Sequence, residues 1–214
     1  MTGKKQMKQQ LHSIIKISVL AWLLPTTAVA QDVTNKILNQ LAHEESIKID
    51  DVTPENKQQV ILGIKNFLKE KHARGSMDDA MKLLVTLKDD ETIQKLVNQY
   101  HSDFSKGGDI LYFSANSEII PFVASDLSLP KDAGRKLVGD IYVPPTRVWA
   151  AQLILRCIAN SPDFPAQIQS WARSSSGFEN DDWSRVQQWW IHNKDAVLAK
   201  RYQDATWLPP IAAK

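Results

Sequence analysis

The sequence predicts an all-α fold, with antiparallel helical hairpins stacked as a short α-solenoid or packed as an irregular helical bundle. Two observations predict it. From Val33 to Tyr202 apolar residues recur every three or four positions, the period that gathers them on one face of a helix. The breaks between these stretches are short and rich in Asp, Asn, Ser, Pro and Gly, so successive helices are expected to fold back on one another.

The first thirty residues stand apart and read as an export signal. Lys4, Lys5, Lys8 and Lys16 make a basic start with no acid, and Ile17 to Leu24 is an apolar run. Pro25 breaks that run, and Ala28-Val29-Ala30 supplies the small-x-small pattern for cleavage before Gln31. A membrane-spanning helix needs about 20 apolar residues, and Lys16 and Pro25 confine this run well below that. The expectation is therefore a periplasmic or secreted protein, cleaved after Ala30 and not membrane-spanning once cleaved. No cysteine stands at the cleavage point, so a lipid-anchored product is not expected.

Cleavage reverses the sign of the charge. The whole chain has 26 Lys and Arg against 24 Asp and Glu; the signal holds four lysines and no acid, which leaves 22 against 24. The basic balance belongs to the signal, and no nucleic-acid partner follows from it, because phosphate binding needs clustered positive charge on the finished surface. The remainder, residues 31–214, is read as a single α-helical domain with an irregular loop at 129–145.

The elements follow in order. Val33 to Ala42 carries Ile37, Leu38 and Leu41 at helical spacing. Thr53-Pro54-Glu55 reads as an N-cap, a first-turn proline and a first-turn acid. The helix they open aligns Val60, Ile61, Ile64, Phe67 and Leu68, and is expected to end near Gly75. Ser76 with Asp79 is a variant capping box opening a helix with Met81, Leu84, Val85 and Leu87 inward. Asp89-Asp90 breaks it, and Thr92 to His101 is the next helix. Short helices are expected over Ile110 to Ala115 and Ile119 to Leu127. Within the 129–145 loop GDIYV reads as an extended segment without an identifiable partner. Thr146 caps a long apolar helix to Ala159, and Ser161-Pro162-Asp163 caps another through Trp171 and Ala172. Two last helices are expected, Trp183 to His192 and Asp195 to Tyr202, before Pro209 ends helical structure.

Three of these hairpins look alike: LLVTLKDDETIQKLVNQY, LYFSANSEIIPFVASDL and LILRCIANSPDFPAQIQSWA. Each has an apolar helix, a tight turn rich in Asp, Asn, Ser or Pro, and a second helix of about ten residues. Over residues 76–174 the chain loosely resembles the HEAT-like helical repeats. Its units are shorter than that family's and unevenly spaced, with Glu91, Glu118 and Asp163 marking the second helices. The resemblance implies a curved stack whose concave side binds a protein.

Chemistry is harder to find. The acidic pairs Glu44-Glu45, Asp50-Asp51, Asp78-Asp79, Asp89-Asp90 and Asp181-Asp182 have the residue type for acid–base work or hard cations. Most stand where a helix begins, and there they serve its free N–H groups. His43, His72 and His101 recur at equal spacing, but each lies near a helix end and none has a local metal-ligand pattern. Cys157, the lone cysteine, sits in LILRCIA as a small buried hydrophobe rather than a reactive thiol. No nucleophile motif or phosphate loop occurs, so no catalytic residue, cofactor or metal is assigned.

The unusual feature is the tryptophans. Beyond the signal they are Trp149, Trp171, Trp183, Trp189, Trp190 and Trp207, all in the last third. Packing accounts for most of them. A surface made from Trp183, Arg185, Trp189, Trp190, Arg201 and Tyr202 is the candidate for partner binding, since Trp and Arg mark binding hot spots. The expected function is that of a non-enzymatic exported protein-binding protein, with another protein as partner. The alternative is an envelope glycan or peptidoglycan hydrolase using Asp181 or Asp182 beside the tryptophans.

Overall fold

The computed structural model describes residues 28–102, 107–130, 133, 136–138, 141–143, 146–175 and 182–210. The fold is all-α with one short hairpin of strands. It divides into two compact units between Ala80 and Met81. The expectation of one domain from residue 31 does not anticipate that division.

The first unit holds α1 (28–42), α2 (Lys57–Phe67) and the start of α3 (Arg74–Thr86). α1 begins earlier than its apolar pattern does, and Ala30 is already buried in it. Val33, Ile37 and Leu41 on α1 and Val60, Ile61, Ile64 and Phe67 on α2 form the core. The two helices touch closely at Gly63, where a Cβ would lie 2.4 Å from the Thr34 methyl. α2 starts at Lys57 with Asn56 at its N-cap position, so Thr53-Pro54-Glu55 forms the turn before the helix and not its cap and first turn. Thr53 holds that turn. Its carbonyl accepts from the Lys57 N–H at 2.9 Å, and its own N–H donates to Asn56 Oδ1 at 2.8 Å. Gly75 does not end α2, which stops at Phe67; Gly75 and Ser76 lie in the first turn of α3. The reversal is made instead by tight turns after Ile64 and by His72, whose ring stacks on Phe67 at 3.6 Å.

The second unit continues with α4 (Asp90–Ser102), α5 (Gly108–Phe113) and α6 (Ile120–Val123), the last flanked by 3₁₀ turns at Ser117–Ile119 and Ala124–Ser128. Then come β1 (Lys136–Val138), β2 (Ile141–Val143), α7 (Thr146–Asn160), α8 (Ala166–Ser174), α9 (Asp182–Leu198) and a 3₁₀ turn at Tyr202–Asp204. α7 is the centre. Nine of its residues from Trp149 to Ile158 are buried, too many for a single face, because α8, α9 and the Ala124–Ser128 turn all pack on it. Cys157 is fully buried there, and burial pushes its thiol far above the ordinary range, which suits the packing role.

Three expectations are corrected in this unit. The extended segment GDIYV does have a partner: β2 pairs antiparallel with β1, Leu137 opposite Tyr142. α8 begins at Ala166, after the cap expected at Ser161-Pro162-Asp163; Ser161 bonds to Asp163, and the Asp163 carboxylate is taken by Ser117 and Lys88. The two last helices are one, α9. Asn193 does not break it, since its buried amide donates back to the Trp189 carbonyl at 2.9 Å and pairs with the Trp207 backbone.

Candidate functional site: the turn edge of the second unit

Four chain reversals meet along one edge of the second unit. The first follows α3. Lys88 takes the left-handed conformation, φ 58°, and the Asp89 N–H bonds back to the Leu84 carbonyl at 3.0 Å. This is the helix closure that glycine usually makes. Asp89 then caps α4, its Oδ2 accepting from the Thr92 N–H at 3.0 Å and the Thr92 hydroxyl at 2.6 Å. The end of α9 repeats the device: Lys200 has φ 55°, and the Arg201 N–H bonds to the Ala196 carbonyl at 2.8 Å.

The other two reversals supply acids. Asn116 Oδ1 accepts from the Glu118 N–H at 3.0 Å, and its amide donates to the Val85 carbonyl at 2.8 Å, which satisfies a terminal carbonyl of α3. Glu118 is thereby held inward with its side chain only 8% exposed. Lys200 Nζ lies 2.7 Å from its Oε2, and the Tyr202 hydroxyl donates to its Oε1 at 3.0 Å. Lys88 Nζ is 4.0 Å from the same Oε1.

Asp163, after α7, gathers three donors on Oδ2: Lys88 Nζ at 2.8 Å, Ser117 Oγ at 2.5 Å and Ser161 Oγ at 2.9 Å. Burial alone would raise its carboxyl, but the hydrogen bonds from Lys88, Ser117 and Ser161 outweigh burial and hold it below the usual carboxylate range. The hydrogen bond to Glu118 likewise raises the Lys200 ammonium, and burial together with the Glu118 charge keeps Tyr202 protonated. Two lysines thus face two carboxylates. The arrangement ties turns together.

A second polar pair lies at the end of α4. His101 Nε2 is 2.8 Å from Asp126 Oδ2, with Asp126 buried and His101 partly open. Burial holds the Asp126 carboxyl above its usual range even though His101 pulls it down. His43 and His72 have different surroundings: His43 Nδ1 meets the Asn39 carbonyl at 2.8 Å, and His72 stacks on Phe67. Among the described residues, no three His, Cys, Asp or Glu side chains converge as a metal site.

The proposed tryptophan surface is only partly at the surface. Trp189 is fully buried against Trp171 and Phe164, and Tyr202 is buried against Phe164 and Glu118, so these two are core residues. Trp183 and Trp190 are half-buried against the same core, with the Arg147 guanidinium 3.8 Å above the Trp183 ring. Arg185 is half-buried, and Arg201 is exposed in an ion pair with Asp204 at 3.2 Å. Asp181 and the side chain of Asp182, the acids of the hydrolase alternative, lie outside the described residues.

The sequence pass missed a different aromatic group. Phe113, at the end of α5, is 66% exposed, beside Tyr112 in an edge contact at 5.8 Å. Arg156 on α7 lies 4.1 Å over the Tyr112 ring, and its Nε donates to the Tyr112 carbonyl at 2.7 Å. Trp149 stacks behind Tyr112 at 5.1 Å. LYF and LILRC stand more than forty residues apart, and only the packing of α5 on α7 joins them. No protein-family model, no curated protein and no solved structure matches the chain.

Proposed function

We propose that this chain is an exported protein-binding domain built of HEAT-like helical hairpins, its first thirty residues removed after Ala30. The exposed Phe113, backed by Tyr112 and Trp149 and flanked by Arg156, carries this reading. Aromatic residues with arginine are the composition of binding hot spots, and here they stand together on one face. The hairpin reading is supported by the turns before Glu118 and Asp163, which the network through Ser117 and Lys88 joins at one edge. The binding surface therefore moves from the C-terminal tryptophans to the α5–α7 face.

Processing is a consequence that can be checked first. Ala28, Val29 and Ala30 are helical in α1, and Ala30 is buried. A peptidase takes its substrate extended, so cleavage has to precede the folding of α1. N-terminal sequencing of the exported chain should begin at Gln31. Binding is tested with a photo-crosslinking residue at position 113, and the same residue at exposed Lys95 as control, in cells that export the chain. The expected outcome is one discrete adduct from position 113, lost on Arg156→Ala, and none from position 95. Equal labelling from both positions, or from neither, rejects the assignment.

A further inference from the structure

The outward face of α9 carries two large apolar residues that no described residue covers, Ile191 and Leu198, each 57% exposed. A helix turns 100° per residue, so positions seven apart lie within about 20° of one line. Lys194 and Asp195 stand between them, both exposed, with no side-chain partner among the described residues. By the same geometry Lys194 falls about 50° to one side of the apolar line and Asp195 about 50° to the other.

We propose that this face is the contact between two copies of the chain, related by a two-fold axis running along α9. With the helices parallel, Ile191 and Leu198 each meet their own counterpart. The Lys194 flank of one copy then faces the Asp195 flank of its partner copy, and the pairing repeats on the other side of the seam. An antiparallel placement would set lysine against lysine and aspartate against aspartate. The charges therefore select both the occupant and its orientation: this surface is complementary to itself. Two apolar residues per copy bury well under the roughly 1,000 Å² of a durable interface, so the association is weak and concentration-dependent. It is independent of the Phe113 surface.

Sedimentation equilibrium of the purified chain tests it. The average mass should climb from one chain toward two over a roughly hundredfold rise in concentration. Lys194→Asp and Asp195→Lys should each weaken self-association about tenfold or more by placing like charges on both flanks. An equimolar mixture of the two variants, or the K194D/D195K double variant, should recover it. Ile191→Glu should abolish it. All three substituted positions are exposed, and unchanged circular dichroism would confirm that each variant is folded. A chain that stays monomeric at every concentration overturns the proposal. So does a dimer indifferent to Ile191→Glu, or a double variant no better than the single ones.

Discussion

Replacing Glu118 with Gln keeps the volume of a buried side chain and removes the charge that Lys200 and Lys88 face. Breaking a fully buried ion pair costs about 3–5 kcal/mol, because the stranded charge stays dry. Here the stranded groups are Lys200, 61% exposed, and the partly exposed Lys88, and both regain water. That reduces the expected loss to about 1–2 kcal/mol for Glu118→Gln, since the amide oxygen still accepts from Tyr202. Glu118→Ala also leaves the Tyr202 hydroxyl without its acceptor and opens a gap, so its cost should be about 3 kcal/mol. Beyond residue 30 every tryptophan lies in the second unit, so tryptophan fluorescence during urea unfolding reads that unit directly. The midpoint should fall without a change in slope. A double-mutant cycle with Lys200→Met should give a coupling of about 0.5–1 kcal/mol that shrinks in high salt. A Glu118→Gln variant within about 0.3 kcal/mol of the parent, with no coupling to Lys200, would refute the view that this network holds the turns together.

Three other outcomes follow from the same geometry. At Lys88, Gly relieves a left-handed backbone that Ala keeps, and both lose the ion pair to Asp163, so Lys88→Gly should be about 1 kcal/mol more stable than Lys88→Ala in urea. Asp163 has a depressed pKa when folded, so its stabilising contribution is present above the unfolded value of about 3.9 and lost as pH falls below it. Asp163→Asn should therefore lower stability at neutral pH and flatten the acid limb of the urea midpoint against pH. Gly63→Ala sets a methyl 2.4 Å from Thr34, so it should destabilise the first unit by about 1–3 kcal/mol, read by circular dichroism. A Thr34→Ser partner change should recover part of that loss.

Local periodicity was enough to find the helices, because a helix is a local structure and its buried face repeats in sequence. It failed where a tertiary partner decides the outcome. Asn193 falls between the two helices expected there, yet inside α9 its amide finds Trp189 and Trp207, and the helix continues. β1 is legible in principle, since Lys136-Leu137-Val138 is separated from Ile141-Tyr142-Val143 by a Gly-Asp pair, a hairpin signal; Pro130, Gly134, Pro144 and Pro145 nearby outweigh it. Asp163 reads as a helix cap because Ser-Pro-Asp has the right spacing, but a cap is worth about 1 kcal/mol and competes with whatever cation the fold brings near. Lys88, distant in sequence, is that cation.

The left-handed helix closures make the same point from the other side. Glycine is the cheap residue there, and Glu44, Lys88 and Lys200 occupy three such positions instead. For the two lysines the side chain serves another element. Lys88 reaches Asp163, and Lys200 reaches Glu118, each cation also facing the negative end of its own helix. Glu44 has the wrong sign for the end of α1, but its carboxylate lies 2.9 Å from where a Gly75 Cβ would be, in the first turn of α3, where a helix is positive. A glycine at either lysine would relax the backbone and lose the link. The strain is therefore the cost of placing a charge at the point where one helix stops and another element begins, and a sequence reader who expects glycine at helix ends will miss the residues that join them.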